Sequence, residues 1–316
     1  MPASTFLPSA ARWLRRALLP VAAAAVLAGC GGGDRVDPFK PSKIYVFGDE
    51  YSYIAPSSSA NAGLKYTVNT PTSPQAANPP QTFACALNPL WVQWLVNDHY
   101  NKDLDVCPIG NEATPSATLQ AQPGWKTQDV LNALAGRTFA KGDLVVVFIG
   151  ANDVRDTTVD VTAQGAALGR RLRDIAGTGA NVLIVNLPLL GINDRDGGDA
   201  TLRSRRIAFN DALRSSNGLG TVDGRRVALL QADARLENVF VNGGNTALRA
   251  LVCPSATAAA QCYVAYTDSS GGGSASVAGT NTGYADALWS FDIWLSPAGH
   301  QLIGNAARSQ VNSNWE

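Results

Sequence analysis

Acyl-transfer chemistry needs a nucleophile, a base to take its proton, an acid to orient that base, and N–H donors for the oxyanion. Candidates for these roles stand at a few points of this chain. The run Lys43-Ile-Tyr-Val-Phe-Gly-Asp-Glu-Tyr-Ser52 is apolar at Ile44, Val46 and Phe47 and breaks at Gly48-Asp49, the pattern of a buried strand ending in a turn. A residue just past such a turn stands at the C-terminal edge of a sheet, where α/β hydrolases present a nucleophile. Here that residue is Glu50. The nearest hydroxyl is Ser52, two residues on and therefore expected to face elsewhere. A second apolar run, Asp143 to Ile149, opens into Gly150-Ala-Asn-Asp153 and offers the Asn152 amide as a donor. Near the end stand Asp292, a possible orienting acid, and His300; the only other histidine is His99.

Strands alternating with helices argue for a three-layer α/β/α domain around a parallel sheet of about five strands, flavodoxin-like in connection. The strands are expected at Ile44 to Phe47, within Asp105 to Thr114, and at Asp143 to Ile149, Asn181 to Leu187 and Arg226 to Gln231. The helices are expected at Leu90 to His99, Thr127 to Leu134, Asp160 to Gly177, Ala200 to Ser215 and from His300 to about Asn312. Pro56 to Phe83, rich in Ser, Asn, Ala and Pro with Lys65 as its only charge, reads as a long surface loop. Residues 242–288 are again loop-like.

These stretches resemble the GDSL (SGNH) esterases and lipases over about Lys43 to Gln310. Phe47, Gly48, Asp49 and Ser52 match the first block, Phe-Gly-Asp-Ser-x-Ser, and Gly150-Ala-Asn-Asp153 matches Gly-x-Asn-Asp. Gly63 to Asn69, Asn186 to Gly191 and Phe209-Asn210 also look like secreted members. The resemblance implies an SGNH-hydrolase fold with a cofactor-free site at the C-terminal strand ends. It also shows where this chain departs. Glu50 takes the serine position. The base falls at Trp294 when Leu295 to His300 is laid on the family ending, or at Leu295 when Asp292 is the anchor. His300 matches a second, non-catalytic histidine. The second block lies over Gly110 to Ala117, with Pro115-Ser116 on its glycines; proline has no N–H to donate, and Gly124 is the alternative donor.

A carboxylate at the nucleophile position opposes an oxyanion: two like charges about 4 Å apart repel by roughly 4 kcal/mol at an effective dielectric near 20. The expectation is therefore a pseudoesterase that binds an acyl, glycan or protein partner. Two alternatives stay open. One is a working ester hydrolase using Ser52 with His300 or an unexpected base. The other is a glycan-acting carboxylate pair, Glu50 and Asp292, which would have to stand roughly 5–10 Å apart.

Arg12, Arg15 and Arg16 precede the apolar segment Ala17 to Ala28, which ends in Leu27-Ala-Gly-Cys30. A basic flank, a short apolar core and small residues before a cut describe a secretory signal peptide over 1–29. Its ending looks like a bacterial lipobox. Cys30 would then carry lipid on a tether over 30–42, leaving 43–316 as one domain, with the outer membrane favoured by the residue after the cysteine. Lys+Arg and Asp+Glu are 25 each, so losing the leader arginines leaves a mildly acidic chain. With no basic run, nucleic acid is an unexpected partner, and a monomer is expected. Cys85, Cys107, Cys253 and Cys262 remain in an exported chain, which suggests two disulfides. Of three possible pairings, Cys85–Cys107 with Cys253–Cys262 is expected, because each bridge then pins one loop-rich insertion. A metal site is disfavoured by the lack of Cys-x-x-Cys and of a nearby histidine.

Overall fold

The computed structural model describes residues 38–72, 82–191, 194, 198–220, 225–242, 251–253, 259, 262, 264–265, 276–277 and 287–315. The leader, Cys30 and most of the tether lie outside the described residues.

Five strands form one parallel sheet: β1 (Ile44–Gly48), β2 (Ala117–Ala121), β3 (Leu144–Phe148), β4 (Asn181–Val185) and β5 (Val227–Leu230), in the order β2-β1-β3-β4-β5. This is the flavodoxin-like order expected. Every residue of β3 and β4 is buried, as a strand covered on both faces requires.

The helices fall into two packed sets. In one, α2 (Thr127–Ala135) packs on α4 (Val161–Gly177), α4 on α5 (Ala200–Arg214), and α3 (Ala151–Arg155) on α5. In the other, a three-residue α1 (Trp91–Gln93) and the π-helix that continues it (Trp94–His99) pack on the C-terminal α7 (Pro297–Trp315). Right-handed crossovers put them on opposite faces, since β1 to β2 runs one way across the sheet and the later connections run the other. Asp160 and Asp199 cap α4 and α5 by accepting from the Ala163 and Leu202 N–H groups. Helix α6 (Ala232–Asn242) follows β5 directly. Two short antiparallel pairs complete the chain: β6 with β7 (Val264–Ala265, Ser276–Val277), and β8 with β9 (Trp289–Phe291, Trp294–Leu295).

Two local expectations need correction and one is refined. The second strand is not within Asp105 to Thr114. There the backbone N–H groups of Ile109, Gly110 and Glu112 donate to the Asp103 carboxylate, and those of Asp103 and Ser116 to Glu112, so carboxylates take the place of a ladder. Leu90 to His99 is helical, but most of it is π. The middle of the Pro56–Phe83 loop is interior: Lys65, Thr67, Val68 and Asn69 are fully buried. The Asn69 amide holds the Lys65 and Thr67 carbonyls and reaches those of Ala259 and Cys262. The Lys65 ammonium donates to the Cys85, Leu87 and Asn88 carbonyls, and burial pushes it down to about 7.

The disulfides are Cys85–Cys107 and Cys253–Cys262, the expected pairing, with Cα atoms 6.0 and 5.9 Å apart. Among the described residues, no helix is long and apolar enough to cross a membrane.

Candidate active site

The order reverses between β1 and β3, so the crevice beyond their carboxyl ends is where an open α/β sheet places a site. Strand β1 ends at Gly48, where a Cβ would stand 2.6 Å from the Phe148 carbonyl oxygen. Asp49 follows, fully buried. Its Oδ1 accepts from the Tyr51 N–H, and burial, then the Glu50 charge, hold its carboxyl well above the usual range.

Glu50 is the centre of the site. Its Oε1 accepts from the Gly124 backbone N–H at 2.8 Å and its Oε2 from Asn152 Nδ2 at 2.7 Å. The side chain is almost enclosed, at 6% exposure. Gly124 lies in the turn after β2, with φ +78°. Asn152 lies at the start of α3, behind Gly150, whose φ of +121° and close approach to the Phe209 ring (2.7 Å from a built Cβ) admit no side chain. Asn152 is steadied by a second bond to the Trp125 carbonyl at 3.1 Å. Asp153 braces the neighbouring loop by accepting from the N–H and hydroxyl of Thr127 at the head of α2; burial raises its carboxyl. The Gly124 N–H thus stands at Glu50 together with the Asn152 amide. Pro115-Ser116 immediately precede β2, at its amino end, and are too far along the chain from this crevice to serve.

The base position is filled by carbon. Trp294, 4% exposed, packs edge-on against Tyr51 at 5.1 Å and Tyr66 at 5.6 Å. Leu295 is fully buried. Asp292 sits at φ +48° in the β8–β9 turn and pairs with Arg155 at 3.0 Å, so its charge is answered by a guanidinium. Tyr66 lies near enough to Glu50 for that carboxylate, after burial, to raise its hydroxyl.

The two fallback groups are also placed. Ser52 is fully buried and its Oγ accepts from Trp91 Nε1 at 3.1 Å; no substrate can reach it there. His300 is fully buried in the first turn of α7. Its Nδ1 accepts from the Trp91 N–H at 3.3 Å, and burial, then the Lys65 charge, push it down to about 3. Both carry packing rather than proton transfer.

His300 gives a pH prediction. Its folded value lies below the ordinary 6.5, so the unfolded chain binds the extra proton between about 3 and 6.5 and stability is lost as pH falls through that window. Urea unfolding at pH 7 and pH 4 is expected to show a larger acid loss in the parent than in His300→Gln, by about 2 to 4 kcal/mol. Equal losses would refute this source of acid sensitivity.

Chemically, the arrangement is a pair of N–H donors, the Gly124 amide and Asn152 Nδ2, with the Glu50 carboxylate seated on both. Both Glu50 oxygens accept hydrogen bonds, and Asp292 is paired with Arg155. Among the described residues, no group of three or more His, Cys, Asp or Glu is placed to hold a metal.

No family model and no curated protein sequence matches this chain. Its chain path is similar to that of an acetylxylan esterase from Geobacillus stearothermophilus, with 12% identity, 87% of this chain and 96% of that one covered, and a TM-score of 0.43. It is likewise similar to an α/β hydrolase enzyme from the metagenome of Lake Arreo, Spain (17% identity, 86% and 97% covered, TM-score 0.46). A member of the lipolytic G-D-S-L family from Veillonella parvula gives 12% identity, 84% and 96% covered, and a TM-score of 0.42.

Proposed function

We propose that this chain is a GDSL/SGNH-like pseudoesterase: an exported envelope protein, anchored through lipid on Cys30, that binds an acyl, glycan or protein partner without turning it over. One observation carries the reading. The Glu50 carboxylate accepts from both oxyanion donors, Gly124 N–H and Asn152 Nδ2, so the place where a tetrahedral intermediate would develop charge is occupied by a fixed negative group. Trp294 in the space of the base supports it, as does the enclosure of Ser52 and His300. The two disulfides support an oxidising compartment.

The test is hydrolysis of p-nitrophenyl acetate and butyrate by the parent, Ser52→Ala, His300→Ala and Glu50→Gln. The parent is expected to be indistinguishable from buffer, and the variants no different. Parent turnover that disappears in any one of them would establish a divergent esterase instead.

A further inference from the structure

A separate cavity of about 360 Å³ lies beside the π-helix. We propose that it is a binding site for a neutral saccharide. Its volume falls in the small-molecule range, roughly 300 to 1,000 Å³. The inference is independent of whether the centre at Glu50 turns anything over.

The wall begins with Trp94, the first residue of the π-helix, and continues with Asn97 and Asp98. A π segment is rare, and it is found often at functional sites. Asn101, Ile109 and Asn111 close the other side. Both sides are held in place. The Cys85–Cys107 bridge ties Ala86 on one rim to Ile109 on the other, and the Gln93 amide donates to the Cys85 carbonyl beneath it. Helix α7 approaches Trp94 so closely at Gly304 that a Cβ there would come within 2.5 Å of it.

The lining selects the ligand class. Asn111 Nδ2 donates to the Asn97 and Lys102 carbonyls, and Asn97 Nδ2 donates to the Lys102 carbonyl. These bonds hold the Asn97 and Asn111 nitrogens toward the protein, which leaves their amide oxygens to take hydroxyl donors from a ligand. Trp94 is half-buried with its Nε1 wholly hidden, so what it shows the cavity is ring carbon. Ile109, 47% exposed, adds an apolar rim. The only carboxylate, Asp98, is paired with Arg308 at 2.7 Å, which leaves no unbalanced charge to favour an ion. A ring that carries hydroxyl donors on its edge and C–H groups on its face fits all three features.

The test titrates the full chain with maltotriose, cellotriose, xylotriose and chitotriose by calorimetry. At least one is expected to bind with a Kd near or below about 1 mM. Trp94→Ala and Ile109→Arg, the second at an exposed position that leaves the fold undisturbed, should each weaken it at least about tenfold. Glu50→Gln should leave it unchanged. Silence with all four sugars to about 10 mM would overturn the proposal. So would binding that survives Ile109→Arg, or binding that is lost in Glu50→Gln and so belongs to the other site.

Discussion

Replacing Glu50 with serine and Trp294 with histidine together is expected to raise p-nitrophenyl acetate hydrolysis by about two to three orders of magnitude over the parent. The substitution at Glu50 frees Gly124 N–H and Asn152 Nδ2 and removes a charge whose repulsion of an oxyanion is roughly 4 kcal/mol, about a thousandfold in rate. It also puts a hydroxyl at the end of β1. The substitution at Trp294 supplies a proton acceptor where the ring now packs on Tyr51 and Tyr66. Asp292 is two residues away in the same turn, although Arg155 competes for it. Because members of such a constellation act as a unit, each single change alone should give little. Initial rates, with fluorophosphonate labelling of the introduced serine as a second readout, decide it. A folded double variant that is labelled no faster than Glu50→Ala would show that the remaining geometry no longer supports acyl transfer.

The second large effect concerns stability at the same edge of the sheet. Arg206→Leu is expected to cost about 3 to 5 kcal/mol, lowering the Tm by about 10 °C. Arg206 is 6% exposed and its Nε donates to Asp194 Oδ2, an oxygen that also accepts from the Leu190 N–H. Asp194 is fully buried, so losing the guanidinium strands a charge rather than merely breaking a contact. The control is Asp194→Leu with Arg206→Leu, which removes both charges and should recover at least half of the loss, as buried pairs replaced by apolar groups commonly do. A single variant within about 1 kcal/mol of the parent would mean that the pair is solvated. The loop matters to the site because Gly191, three residues before Asp194, packs under the β8–β9 turn. A Cβ at Gly191 would come within 2.8 Å of the Asp292 carbonyl oxygen.

The strands of this fold were legible where burial is two-sided. The runs at β3 and β4 have no alternation to misread, and β1 ends on a glycine that only a close approach to β3 explains. Strand β2 was not, since Ala117–Ala121 is a five-residue edge strand with two glutamine- or threonine-bearing positions half open. In the site, Glu50, Asn152 and Trp294 follow from local motif positions. Gly124 enters only as an alternative to Pro115-Ser116 and not from a motif position, because its role is set by a contact 74 residues away in sequence. The burial of Lys65 is invisible for a related reason. A lone lysine among Ser, Asn and Pro reads as a surface residue, and only the three carbonyls converging from Cys85, Leu87 and Asn88 make an interior position tolerable.

Glu50 also does something for the molecule when no ligand is present. A working oxyanion hole is a liability at rest, with donors held ready and unanswered for the sake of rate. Here one side chain rivets the loops after β1, β2 and β3 to one another across the top of the sheet. That makes the crevice a brace of the scaffold, and freeing the two donors should lower the melting temperature.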